Sequence, residues 1–263
     1  MSLHSRLAMA RQRLLCFHHR RVVMLETAGP FVSFVFDDFP RTAYRVGGSI
    51  LENFGVRGTY YVAMGLMGAS NELGEQFCLE DLLSAAAHGH EVASHTFAHQ
   101  SSRRVSLSAF QSDVRKGRDA LQGIPSLSST ANFAYPRGEV TLAAKKAVGR
   151  QMLSCRGIYG GLNGPLVDLN LLLANSLYGD IDRLDAVRRL ILENDERKTW
   201  LIFYTHDVQN GPSRYGCTPR LLESAVQLAV GRSARVLPVA EVLASVARGS
   251  TGSTLERVSE TVS

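Results

Sequence analysis

From residue 30 onward, short apolar runs rich in β-branched and aromatic residues alternate with longer stretches of helical period, a rhythm that admits few folds. Strands are expected at 31–36, 59–63, 91–94, 132–135, 152–155, 174–177, 200–204 and 235–238. Helices fit between them at about 42–54, 79–87, 107–122, 142–148, 183–193, 219–230 and 240–247. A strand, a crossover helix and a second strand make a parallel pair. Eight strand candidates in this order therefore predict an α/β fold, either a complete or incomplete (β/α) barrel or a doubly wound open sheet. Residues 157–170, punctuated by Gly160, Gly161, Gly164 and Pro165, read as a long loop. No repeat or linker divides the pattern, so one domain is expected over 29–247, between a basic arm (1–28) and a polar tail (248–263).

Charge is uneven along the chain. Arg6, Arg11, Arg13, Arg20 and Arg21 all precede the first acidic residue, Glu26, and the other basic residues balance the 24 acidic ones. The formal charge of +5 thus belongs to the arm, and nothing elsewhere points to nucleic-acid binding. Leu7, Met9, Leu14, Leu15 and Phe17 interleave with those arginines. The spacing fits an amphipathic helix docked on the domain, the reading preferred, or one lying on an anionic membrane surface. The stretch has no uninterrupted apolar region of a secretory signal, and no run is long enough to span a bilayer. Cys16, Cys78, Cys155 and Cys217 lack paired metal spacing and read as reduced thiols. The expected location is cytoplasmic, with peripheral contact at the inner membrane through the arm; the sequence gives no oligomeric state.

Polar residues at the strand ends carry the chemistry. Asp37 and Asp38 follow the apolar run 31–36, at the C-terminal end where parallel α/β folds bind ligands. His95 and His99 follow 91–94 with four-residue spacing, which brings two imidazoles to one ion if the stretch is helical. His206 lies just beyond 200–204. Two histidines and a carboxylate leave coordination positions open, as a catalytic metal requires. His88 and His90 flank Gly89 in a turn and are expected to face solvent, while Thr96 is read as bonding locally within its loop.

Val35-Phe36-Asp37-Asp38-Phe39, His95-Thr96-Phe97-Ala98-His99, Phe133-Ala134-Tyr135-Pro136-Arg137-Gly138 and Tyr204-Thr205-His206 resemble, in order and spacing, the motifs of the polysaccharide deacetylases (NodB homology, carbohydrate esterase family 4). The resemblance runs from about Gly29 to Ala247. It implies a distorted (β/α) barrel of seven or eight strands, a divalent metal, most commonly zinc, and hydrolysis of acetyl groups on sugars. By this resemblance Asp37 is the catalytic base, Asp38, His95 and His99 hold the metal, and His206 is the general acid. An oxyanion donor is expected in the backbone near Pro136 and Arg137, and Pro136 is expected to contact substrate.

The match has gaps. Phe39 stands where the family has glycine, which is expected to reshape the floor of the site and touch substrate. Ala134 replaces the arginine that partners the base, and Arg156 on another strand end is a candidate substitute beside the alternative of a plain surface arginine. The family's Asp-Trp element has no match, leaving Asp168 and Asp182 as candidates to tune His206. Residues 207–219 should overhang the pocket, with Tyr215 either stacking on a sugar or packing its own loop. The expected activity is deacetylation of N-acetylated amino sugars in an oligosaccharide, polysaccharide or glycan precursor. O-acetyl ester or non-sugar amide hydrolysis, and a non-catalytic carbohydrate-binding role, are the alternatives; the complete residue set favours an enzyme.

Overall fold

A computed structural model describes residues 14–25, 29–125, 127, 131–232 and 234–249. Residues 1–13 of the arm and 250–263 of the tail lie outside this set. At the centre is strand β2 (Phe31–Asp37), buried along its whole length. On one side it pairs in parallel with β11 (Trp200–Thr205), and through its C-terminal half with β3 (Thr59–Val62) on the other. Its N-terminal half pairs instead with β12 (Arg235–Val236). From β3 the sheet continues through β6 (Glu91–Ser94) and β7 (Asn132–Ala134) to β8 (Ser154–Arg156); β10 (Asn175–Ser176) borders β11. All these pairs are parallel.

The sheet curls into a barrel-like wall. The stretch leading into β10 hydrogen-bonds to β8, through Cys155 N–H to the Leu169 carbonyl and Leu172 N–H to the Cys155 carbonyl. The fold is therefore the distorted barrel and not the open sheet. Strand alternation sorts the side chains. Val32, Phe34 and Phe36 pack outward with Leu201 and Phe203 under the helices. Phe31, Val35, Tyr61, Ala93, Ala134, Trp200, Ile202 and Tyr204 form a second cluster on the inner face.

The helices are α1 (Ser49–Asn53), α2 (Leu79–Ala87), α3 (Leu107–Gln122), α4 (Leu142–Gly149), α5 (Leu184–Arg197), α6 (Pro219–Gly231) and α7 (Val239–Gly249). Ser106, Thr141 and Thr218 cap α3, α4 and α6 by accepting N–H bonds in the first turn. The expected helix at 42–54 is π-helical over Ala43–Gly48 before it becomes α1. A Cβ on Gly47 would lie 2.9 Å from the Phe36 ring, so glycine permits this close approach.

Two pairings escape sequence patterning because their strands are only two or three residues long. Within the expected loop, β9 (Leu166–Asp168) pairs antiparallel with β1 (Val22–Met24). A hairpin of β4 (Ser70–Asn71) and β5 (Gly74–Glu75) stands beside the site. Residues 14–25 dock on the barrel. Leu15 is buried with Phe110, Val114 and Val148, and buried Lys145 Nζ donates to the Leu15 carbonyl (2.5 Å) and to Asp168 Oδ2 (2.6 Å). All four cysteines are unpaired. Among the described residues, no helix is long and apolar enough to cross a membrane.

His90 departs from expectation. It is buried, its Nδ1 accepts the Gly58 N–H (3.0 Å), and its Nε2 meets Glu52 Oε1 at 3.0 Å. His88 is exposed as expected.

Candidate active site

Three strand ends and two loops converge on one cleft of about 690 Å³, lined by Asp37, Asp38, His95, His99, Arg137, Tyr178, Tyr204, His206 and Tyr215 among others. The backbone delivers these groups through uncommon conformations. Asp38, Phe39, Thr96, His99 and Arg137 all have positive φ, leaving only His19 and Lys198 as positive-φ non-glycine residues elsewhere among the described residues. Backbone strain is thus concentrated where the chemistry-bearing side chains are presented.

Asp38, His95 and His99 each offer an atom within 4.8 Å of the others. Asp38 Oδ1 lies 3.6 Å from His95 Nε2 and 3.2 Å from His99 Nε2, yet it is buried without a hydrogen-bond partner. His95 Nδ1 donates to the Ala134 carbonyl (2.8 Å), which leaves the Nε2 lone pair facing the carboxylate. Burial pushes the His95 and His99 pKa values down to about 3 and about 4, so both rings are neutral near pH 7. Burial also pushes Asp38 up to about 6, with His206 opposing the rise and Asp37 adding to it. Electron pairs thus converge with no proton between them, and a divalent cation fits that deficit.

Asp37 is buried beside this group and accepts a short hydrogen bond from Arg156 Nη2. Burial alone would raise its pKa; the Arg156 charge, with His95 and His206, overrides that and holds it below the usual carboxylate value. Arg156 is itself fully buried, its guanidinium lying over the Tyr61 and Tyr204 rings. On the neighbouring strand its register partner is Ala134. The charge absent at Ala134 therefore enters from the next strand, past a side chain small enough to admit it.

His99 is placed by a residue that strand-end reasoning missed. Buried Asp113, on α3, accepts the N–H groups of Ala98 (3.0 Å) and Gln100 (3.3 Å), clamping the loop on both sides of His99. A carboxylate in the middle of an otherwise amphipathic helix is the sequence signal that was available. Thr96 does not bond locally: its Oγ1 is buried without a partner, and its backbone packs against Gly117 of α3.

His206 Nδ1 lies 3.2 Å from the Tyr215 carbonyl, which leaves Nε2 for the cleft. Tyr215 and Tyr178 pack beside the ring, at centroid distances of 5.6 and 6.1 Å. Neither expected carboxylate reaches it. Asp168 is tied to Lys145 and the Arg21 N–H, and Asp182 is exposed on a 3₁₀ turn. Asp207 instead fixes the overhang by accepting from Ser213 N–H and Oγ and from Gln209 Nε2.

Two expected substrate contacts are corrected. Phe39 is fully buried and stacks on Phe77 and Tyr60 at 5.3 and 4.6 Å, outside the cleft lining, because its backbone turns the ring into the outer core. Pro136 is also buried and shapes the turn beneath the cleft without lining it. In that turn, the Gly138 and Glu139 N–H groups are spent on the Tyr135 and Pro136 carbonyls.

Fold and site together define a barrel-type α/β protein with a two-histidine, one-carboxylate centre beside a buried Asp–Arg pair. Residues 25–153, just under half of the chain, match the polysaccharide deacetylase family model. The matched segment holds Asp37, Asp38, His95, His99 and Arg137, and it ends before Arg156 and His206. No curated protein matches the chain in sequence. The chain is similar in structure to the chitin deacetylase of the fungal pathogen Colletotrichum lindemuthianum (TM-score 0.57, 18% identity, 83% of this chain and 90% of that one). It is also similar to the Xyl-CE4 domain of a multidomain xylanase from the hindgut metagenome of Trinervitermes trinervoides (0.55, 18%, 82% and 91%). A family 4 carbohydrate esterase from Streptomyces lividans gives 0.52, 16%, 79% and 91%. At these identities the likeness establishes the fold.

Proposed function

We propose that the protein is a metal-dependent hydrolase that removes acetyl groups from N-acetylated amino sugars in an oligosaccharide, a polysaccharide or a glycan precursor. The observation that carries this reading is the convergence of Asp38, His95 and His99 on one point, with Asp37 and His206 lining the same cleft. A bound divalent ion, zinc by the affinity of imidazole and carboxylate donors, supplies a Lewis acid that polarises the acetyl carbonyl and acidifies water.

The chain's own residues do the rest. Asp37, kept ionised by Arg156, accepts the proton of the attacking water. The developing oxyanion would be held by a backbone N–H of the turn at Arg137, which lines the cleft. His206, fixed by the Tyr215 carbonyl, donates from Nε2 to the departing amine, which is too basic to leave unprotonated. Tyr178 and Tyr215 give the cleft aromatic faces for a sugar ring.

The test is acetate release from a panel of N-acetylated and O-acetylated glycans, before and after chelation and zinc restoration, with Asp37→Asn and His95→Ala alongside. Zinc-restored release from N-acetylated glycans that both substitutions abolish supports the reading. Release confined to O-acetyl esters, or none from any glycan despite stoichiometric bound zinc, overturns it.

A further inference from the structure

The docked arm leaves an unusual surface behind. Eleven large hydrophobic side chains are exposed among the described residues, and six of them, Leu14, Phe17, Val22, Met24, Leu153 and Leu166, lie on the arm or the segments that hold it. The exposed apolar surface is therefore concentrated in one region and not scattered, the pattern that marks an interaction site.

Backbone geometry explains the concentration. In the β1–β9 ribbon, Val22 and Met24 are two residues apart and share a face, and Leu166 is the register partner of Met24. Met24 and Leu166 are each 53% exposed, while Val167 and Leu25 turn inward and are buried. Residues 14–17 are helical, so Leu14 and Phe17 also share a face, with Phe17 73% exposed. Leu153 adjoins the ribbon, since the Arg21 guanidinium that precedes Val22 donates to the Leu153 carbonyl.

Several cations stand on the segments that carry or hold these side chains. Arg20, Lys146 and Arg150 are exposed, and the charges of Lys146, Arg150 and Lys145 all act on His19 in the link between the two apolar rows. The sequence up to Glu26 holds basic residues and no acidic one. Asp168, the nearest carboxylate on the ribbon, is occupied by Lys145.

We infer that this face docks on an anionic lipid bilayer, with the apolar side chains entering the interface and the cations meeting lipid phosphates. Protruding hydrophobic residues with cations on the same segments fit a soft, negatively charged surface. The placement also fixes an orientation. Leu153 immediately precedes β8, and Gly164, beside β9, packs against Thr199 immediately before β11, so the face lies at the N-terminal rim of the barrel. The cleft is at the C-terminal rim. Docking thus holds the cleft away from the bilayer, suited to a glycan extending from the surface and not to a group within the headgroup layer.

The experiment is co-sedimentation of the full chain with phosphatidylcholine vesicles and with vesicles containing about 30% phosphatidylglycerol, at low and high salt. The variants are Met24→Glu/Leu166→Glu and Lys146→Glu/Arg150→Glu, each checked by thermal melting. Binding to the anionic vesicles only, reduced about tenfold or more by either variant while melting is retained, is the expected result. Equal sedimentation with both vesicle types, no sedimentation with either, or a concentration-dependent dimer that Met24→Glu/Leu166→Glu dissolves would overturn it. Acetate release from a soluble substrate is assayed on the same samples, so a failure of membrane docking is separable from a failure of the deacetylase reading.

Discussion

Arg156 reaches Asp37 from the strand position directly across from Ala134. Two neighbouring strands can thus deliver the same charge to the same carboxylate, and a substitution pair tests it. Arg156→Ala leaves a buried carboxylate without its counter-charge, with an expected stability loss of about 3–5 kcal/mol. Acetate release should fall on the order of 100-fold as the base loses its ionised, oriented form. Adding Ala134→Arg to that variant should recover activity at least tenfold over Arg156→Ala alone, whereas no recovery would show that Arg156 acts by more than its charge.

Asp113 does not line the cleft, but it holds the backbone on both sides of His99. Asp113→Ala should therefore weaken zinc binding by about 10–100-fold, measured by titration calorimetry. Asp113→Asn keeps an acceptor oxygen and should lie between the two. Zinc at a hundredfold excess over its Kd should stabilise the native protein by about 2.7 kcal/mol, an increment that His95→Ala abolishes. Unchanged zinc affinity in Asp113→Ala would remove its positioning role.

Phe39 separates packing from backbone strain. Its ring fills the core between Phe77 and Tyr60 while its φ is +64°. Phe39→Ala should cost about 3–5 kcal/mol for the lost packing. Phe39→Gly loses the same ring but is at ease at positive φ, so it should be more stable than Phe39→Ala by about 1 kcal/mol. Denaturant midpoints of the three proteins give both figures, and equal stability of the two variants would mean that the turn carries no strain.

What the sequence made legible follows from period and position. The strands and helices around the site are long enough to show their repeat, and Asp37, Asp38, His95, His99 and His206 sit directly beyond strand ends, where the parallel fold collects ligands. Arg156 was legible as a strand-end charge, although its partner was fixed only by the register between β7 and β8. Phe39 was misplaced because nothing in a linear pattern tells a residue at positive φ which way its ring will point. His90 was misread for a related reason: a turn next to glycine looks exposed until the helix that covers it is placed. Tyr178 and the Tyr215 carbonyl come from loops without periodicity, and only folding brings them to His206.

His90 links this buried position to pH. Its Nδ1 is occupied as an acceptor of the Gly58 N–H, so a second ring proton would meet a donor and not a lone pair. Burial lowers its pKa below the ordinary histidine value of about 6.5; the Glu52 hydrogen bond and charge only partly oppose that, and Arg57 and His88 reinforce it. The unfolded chain therefore takes up a proton that the folded protein refuses. The stability associated with neutral His90 is complete above about pH 6.5 and is lost as pH falls toward the lower folded value. Urea midpoints measured from pH 7.5 down to 5 should fall through this window, and His90→Gln, which cannot titrate, should flatten the slope even if its stability at pH 7.5 is lower. Parallel pH profiles for the two proteins would assign the acid sensitivity to other groups.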